Sequence, residues 1–101
     1  MRKTKKYKED LLEDLQDPEE AAEYLNAAMQ DDDPQVFLLA IRDVVEAQGG
    51  MSWLADRSKL NRESLYRTLS ARGNPRLTSL RAVLNAFGLG LSVTKKQRAH
   101  R

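Results

Sequence analysis

Residues 51–70, MSWLADRSKLNRESLYRTLS, constrain this chain more than any other stretch, because they fit two short helices joined at an angle. Ser52 is placed to cap the first helix, which carries Leu54 and Ala55. A break falls at Ser58-Lys59-Leu60, and Asn61 is placed to cap a second helix that turns Leu65 and Leu69 inward. Helices crossing this closely need a small side chain at their nearest approach, and Ala55 supplies it. Leu60 then fills the angle between them while Leu65 packs back on Leu54. Left outward on the second helix are Asn61, Arg62, Glu63, Ser64, Tyr66 and Arg67. Such a run of long donors and acceptors suits the helix that a helix-turn-helix lays in the major groove of DNA. The competing reading is an ordinary αα-hairpin.

Charge outside this stretch bears on that choice. The net charge of +2 conceals a segregation along the chain. Residues 2–8 hold Arg2, Lys3, Lys5, Lys6 and Lys8 without an acid, whereas residues 9–33 hold eleven acids and no base. From residue 34 onward, twelve bases face Asp43, Glu46, Asp56 and Glu63. A basic body with an acidic N-terminal segment suits two partners of opposite sign, against the plainer reading of solvated helix faces.

The rest of the chain reads as helices. Residues 1–16 form a charged N-terminal arm whose large apolar residues are Tyr7, Leu11, Leu12 and Leu15. Asp17-Pro18-Glu19-Glu20 starts a helix, with Asp17 as cap and Glu20 set for a capping box. Ala21, Ala22, Leu25, Ala28 and Met29 make its apolar stripe. Asp33-Pro34 repeats the device for a central helix bearing Phe37, Leu38, Ile41, Val44 and Val45, which Gly49-Gly50 stops. After the loop Ala71-Arg72-Gly73-Asn74-Pro75, a last helix carries Leu77, Leu80, Val83, Leu84 and Phe87 as far as Gly88. Leu89, Leu91 and Val93 alternate like a strand, which would need a partner: a second copy of the chain, or the N-terminal arm. Residues 17–93 thus form one all-α, five-helix domain with a short C-terminal strand, and residues 94–101 form a basic tail.

Enzyme readings find little purchase. The single histidine, His100, lies in the tail, and there is no cysteine, phosphate-cradling glycine loop or metal-ligand spacing. Asp31-Asp32-Asp33 lacks the pattern of a calcium loop and is explained by helix capping. No catalytic residue, cofactor or metal is therefore expected. Neither a membrane span nor a signal peptide is visible, and the expected location is the cytoplasm.

The helix-turn-helix, the loop ARGNPRL and the helix TSLRAVLNAFG together resemble the Cro/C1-type (Xre-like, lambda-repressor-like) DNA-binding domain. DPEEAAEYLNAAMQDDDPQVFLLAIRDVVEAQGGMSWLADRS is in turn similar to the HigA-like antitoxins, the addiction-module antidotes of type II toxin–antitoxin pairs. The likeness spans about residues 10–93. It departs at Lys59, where many such turns place Gly because the turn wants a positive φ, and at Ser58 and Thr68, where apolar residues are usual. The resemblance implies a homodimer that represses its own operator and neutralises a small basic RelE/HigB-like ribonuclease toxin.

Two sets of candidate site residues follow. Toward double-stranded operator DNA, Asn61, Arg62, Ser64, Tyr66 and Arg67 would read bases, the arginines by bidentate contact to guanine and Asn61 by the same to adenine. Ser52, Trp53, Arg72, Asn74 and Arg76 would hold phosphates, with packing on the domain surface the alternative for Trp53. Toward the toxin, Glu19, Glu20 and Glu23 would meet the basic surface that a ribonuclease needs for RNA, with Tyr24 as an anchor. A stand-alone phage-type repressor without a toxin is the alternative function, and a purely protein-binding helical adaptor is the third.

Overall fold

A computed structural model describes residues 2–70 and 72–96, the side chains of residues 2–5 excepted. Six helices occupy them: α1 (Arg2–Asp14), α2 (Pro18–Met29), α3 (Pro34–Gln48), α4 (Met51–Ser58), α5 (Arg62–Thr68) and α6 (Leu77–Ala86). The fold is all-α, with one helix more than the five expected. The addition is α1, in the segment set apart as an arm. It packs on α3, and just beyond its end Leu15 is 1% exposed within the core. The Gln48 amide fastens that corner by donating to the Leu15 carbonyl at 3.2 Å. Charge dominates residues 1–16 in sequence, and one leucine in the right place outweighs it.

Local chemistry sets most helix starts. Asp17 accepts the Glu19 N–H at 3.0 Å, and Asp33 accepts the Gln35 N–H at 3.0 Å, each just ahead of a proline in the first helical turn. Asp31 in turn accepts the Asp33 N–H at 2.8 Å, so two of the three consecutive aspartates are spent on capping. The capping box at Glu20 does not form. The Asp17 N–H that it would accept is donated to the Asp14 carbonyl instead, at 3.0 Å.

Core residues come from every helix after α1, with α3 at the centre. Ile41, Val44, Leu54, Leu65 and Val83 are fully buried, and Leu25, Leu38, Leu69, Leu84 and Phe87 complete the cluster. Burying a side chain of this size is worth about 1.5–3 kcal/mol, which is how a chain without disulfides holds together. Two positions assigned to the apolar stripes lie outside it: Met29 is 48% and Leu77 61% exposed. Each is an end residue of its helix, beyond the reach of the opposing one.

The strand expected at residues 89–93 is absent. This stretch has no regular structure, and no strand occurs among the described residues for it to pair with. Alternation decides which side chains share a face, but a ladder also requires a neighbour. Within one chain the arm cannot be that neighbour, because it is helical. Residues 97–101 of the basic tail, with His100, lie outside the described residues. No helix among those described is long and apolar enough to cross a membrane.

Candidate nucleic-acid and partner interface

The α4–α5 pair forms a tight helical corner. Leu54 and Leu65 are both fully buried between the two helices, while Ala55 and Leu60 pack half-buried against the same core. Lys59 turns the chain from a left-handed conformation, φ 66° and ψ 15°, and its N–H closes α4 on the Ala55 carbonyl at 3.1 Å. Among the described residues it alone has a positive φ without being glycine, as the departure from Gly at that position required. Ser58 accepts the Leu60 N–H at 3.2 Å, a bond open to a hydroxyl and closed to the apolar residue more usual there.

Both ends of α5 are fixed by side chains. Asn61 accepts the Ser64 N–H at 2.8 Å, capping the helix as expected. That bond holds the carboxamide at the helix start, so a bidentate grip on adenine would have to be made around it or at its expense. At the other end the Arg42 guanidinium, from α3, donates to the Leu69 carbonyl at 3.1 Å. A cation at a helix C-terminus also meets the negative end of the helix dipole. Arg42 was not among the sequence candidates, since its target lies 27 residues away. Between these ends, Arg62, Tyr66 and Arg67 are exposed, Tyr66 by 54%, and Ser64 is half-buried.

The loop after α5 brings further donors alongside. Ser64, Arg67, Arg72, Gly73, Asn74 and Arg76 line a polar cleft of about 540 Å³. Three arginines of its wall come from one helix and one loop, so the cleft is suited to an anion. Gly73 makes this closure possible. Its N–H donates to the Ser70 carbonyl at 2.8 Å, and a Cβ there would stand 2.2 Å from the Thr68 carbonyl oxygen. Thr68 and Ser70 also border the cleft, and neither was singled out in sequence as contributing to it.

The start of α4 differs from expectation. The helix begins at Met51, and Gly50 takes the cap position without any side-chain bond, leaving Ser52 exposed inside the first turn. Trp53 drives this shift: its Cβ and ring lie over Gly49, where a Cβ would come within 2.9 Å, and only a glycine permits that approach. The indole stacks on Phe87 (centroids 6.2 Å apart, planes 10° apart), and the Arg57 guanidinium sits 5.1 Å above it. Trp53 thus takes the packing alternative, clamped between a core ring and a cation.

On the flank formed by α2, Glu19, Glu20 and Glu23 are all exposed. Tyr24 is not free to anchor a partner through its hydroxyl. It donates to the Asp43 carboxylate of α3 at 2.6 Å and packs half-buried against the core. Burial first, and then the hydrogen bond and charge of Asp43, push its phenol well above the ordinary tyrosine range. Tyr7 of α1, 68% exposed, is the free aromatic of this flank.

Comparison with known proteins gives this geometry its context. Over residues 4–95 the chain matches the profile of a family described as "probable addiction module antidote protein". It is 34% identical over 88 residues to an uncharacterized protein of Haemophilus influenzae, an overlap covering 87% of this chain and 90% of that one. No solved structure matches. The chain belongs to the family of probable addiction-module antidote proteins, whose members imply a toxin as partner.

Proposed function

We propose that the protein is a HigA-like antitoxin that also acts as its own transcriptional repressor, binding operator DNA as a dimer through a Cro/C1-type helix-turn-helix. The observation that carries the DNA half is the α4–α5 corner: a capped helix presenting Arg62, Tyr66 and Arg67, continued by the three-arginine cleft. In this reading Arg62 and Arg67 read guanines, Ser64 and Tyr66 reach a phosphate or a thymine methyl, and Asn61 contributes mainly by fixing the helix. Arg72, Asn74 and Arg76, with Ser52 at the start of α4, hold the flanking phosphates and set the register. Family membership carries the toxin half, and the exposed carboxylates of α2 suit a basic RelE/HigB-like ribonuclease.

Fluorescence anisotropy with the DNA upstream of the protein's own gene tests the first half. Affinity should fall linearly in log–log form with salt, and Arg62→Ala with Arg67→Ala should abolish sequence preference. Affinity indifferent to both salt and substitution would remove the DNA reading. For the second half, tagged protein is pulled down from its host. A small basic protein recovered in near-equal amount, and lost on Glu19→Lys, Glu20→Lys and Glu23→Lys together, supports it. Recovery of the chain alone would leave the stand-alone repressor in its place.

A further inference from the structure

A second cavity, of about 470 Å³, opens beside α5, and its lining is almost entirely apolar. Small-molecule sites commonly measure about 300–1,000 Å³. Val45 and Leu69, both buried in the core, line its floor, together with half-buried Met51 and the exposed ring of Tyr66. Three elements therefore meet around it: α3, the start of α4, and α5 with the residues just after it. The Ser70 hydroxyl, also in the lining, is spent as a donor on the Arg67 carbonyl at 3.0 Å. The tail is not suited to fill the space, since residues 97–101 carry no large apolar side chain.

Charge at the lip selects the ligand. Arg42 and Glu46 stand one turn apart on α3 and both line the cavity, but they are not equivalent. Glu46 is offset by Lys8 at 3.3 Å. Arg42 has no carboxylate within ion-pair distance among the described residues, and its guanidinium is engaged there only by the Leu69 carbonyl. A planar cation with an open edge, set beside an apolar cavity, matches a carboxylate that it can grip through two parallel bonds. The ring of Tyr66 and the thioether of Met51 favour an aromatic body over a plain chain. We propose that this cavity binds a small aromatic carboxylate, with its ring among Tyr66, Met51, Val45 and Leu69 and its carboxylate on Arg42. A ligand so placed would bridge α3 and α5 at the joint where Arg42 meets the Leu69 carbonyl. The site does not rest on the DNA reading. Under that reading Tyr66 would be shared, so the ligand and DNA would bias each other's affinity.

Calorimetric titration of the full chain with 2-naphthoate, 2-naphthamide and 2-naphthylmethylamine tests the proposal. The carboxylate should bind saturably at a single site, the neutral amide about tenfold more weakly or worse, and the amine not at all. Arg42→Gln should bring the carboxylate down to the level of the amide with circular dichroism unchanged. Arg72→Gln with Arg76→Gln should leave it as it was, which separates this cavity from the three-arginine cleft. In amide NMR spectra of the unmodified protein, 2-naphthoate should shift Gly50, Met51 and Leu69 rather than Gly73 and Arg76. Those spectra and the three-compound comparison decide the matter even if Arg42→Gln fails to fold. Absence of saturation would overturn the proposal. So would an amide that binds as tightly as the carboxylate, or shifts gathered at Gly73 and Arg76.

Discussion

Replacing Lys59 with glycine should make the protein more stable, although it deletes a side chain and adds no contact. At φ 66° and ψ 15°, Lys59 holds a left-handed conformation that crowds its Cβ against the backbone and costs about 1–2 kcal/mol for an L-residue. Glycine escapes that cost but gives the unfolded chain more freedom, which returns about 0.4–1 kcal/mol to the unfolded side. The difference is a net gain of about 0.5–1 kcal/mol, or about 2–8 °C in Tm for a domain of this size. The Lys59 side chain is exposed, so little packing is lost with it. Urea melts of four proteins separate the terms. Lys59→Ala keeps the strain and should fall within about 0.5 kcal/mol of the parent. Lys59→Val adds a β-branch at positive φ and should be the least stable of the four. Lys59→Gly should raise the midpoint at an unchanged m-value. If glycine proves no better than alanine, the turn is relaxed in solution and strain at residue 59 plays no part in positioning α5.

Other expectations rest on single contacts. Asn61→Ala removes the cap on α5 and should cost about 1 kcal/mol in the same melts, with Asn61→Asp nearly harmless. Gly73→Ala sets a Cβ 2.2 Å from the Thr68 carbonyl oxygen, so the loop must open. The expected cost is about 1–3 kcal/mol, and DNA affinity should fall in anisotropy because Arg72 and Arg76 are displaced from Arg67. For Tyr24 the folded chain favours the neutral phenol. Its contribution is complete below the ordinary tyrosine value of 10.0 and is lost as pH rises through and beyond it, where the unfolded chain ionises first. Melts across that range should show the parent losing stability more steeply than Tyr24→Phe, and parallel curves would refute the assignment.

What was legible in the sequence was what local chemistry decides. Asp17-Pro18, Asp33-Pro34 and Asn61 each place a cap within three residues of the N–H it accepts, and each cap is present. The buried set Leu54, Leu65 and Leu69 followed from helical spacing in the same way. Errors arose where a distant residue decides the outcome. Ser52 has good capping chemistry, yet the start of α4 is set by Trp53 settling over Gly49 and stacking on Phe87, a contact that spans 34 residues. Tyr24 sits beside an acidic face and reads as an anchor until Asp43 claims its hydroxyl. Leu15 looks like part of an arm until Gln48 ties its carbonyl down.

The candidate site divides along the same line, and this has a consequence for function. Which side chains α5 exposes is local, and Arg62, Tyr66 and Arg67 were all visible in advance. How firmly α5 is held is not local, because its far end hangs on Arg42, a residue of the central helix. That helix also carries Asp43, which grips α2 through Tyr24, and Glu46, which meets Lys8 of α1 at 3.3 Å. The exposed Lys8–Glu46 pair contributes little stability by itself. Three polar contacts along α3 nevertheless tie α1, α2 and the end of α5 to one support. Loosening α3 at Arg42 would therefore act on the element that orients α5, without touching the arginines on its surface.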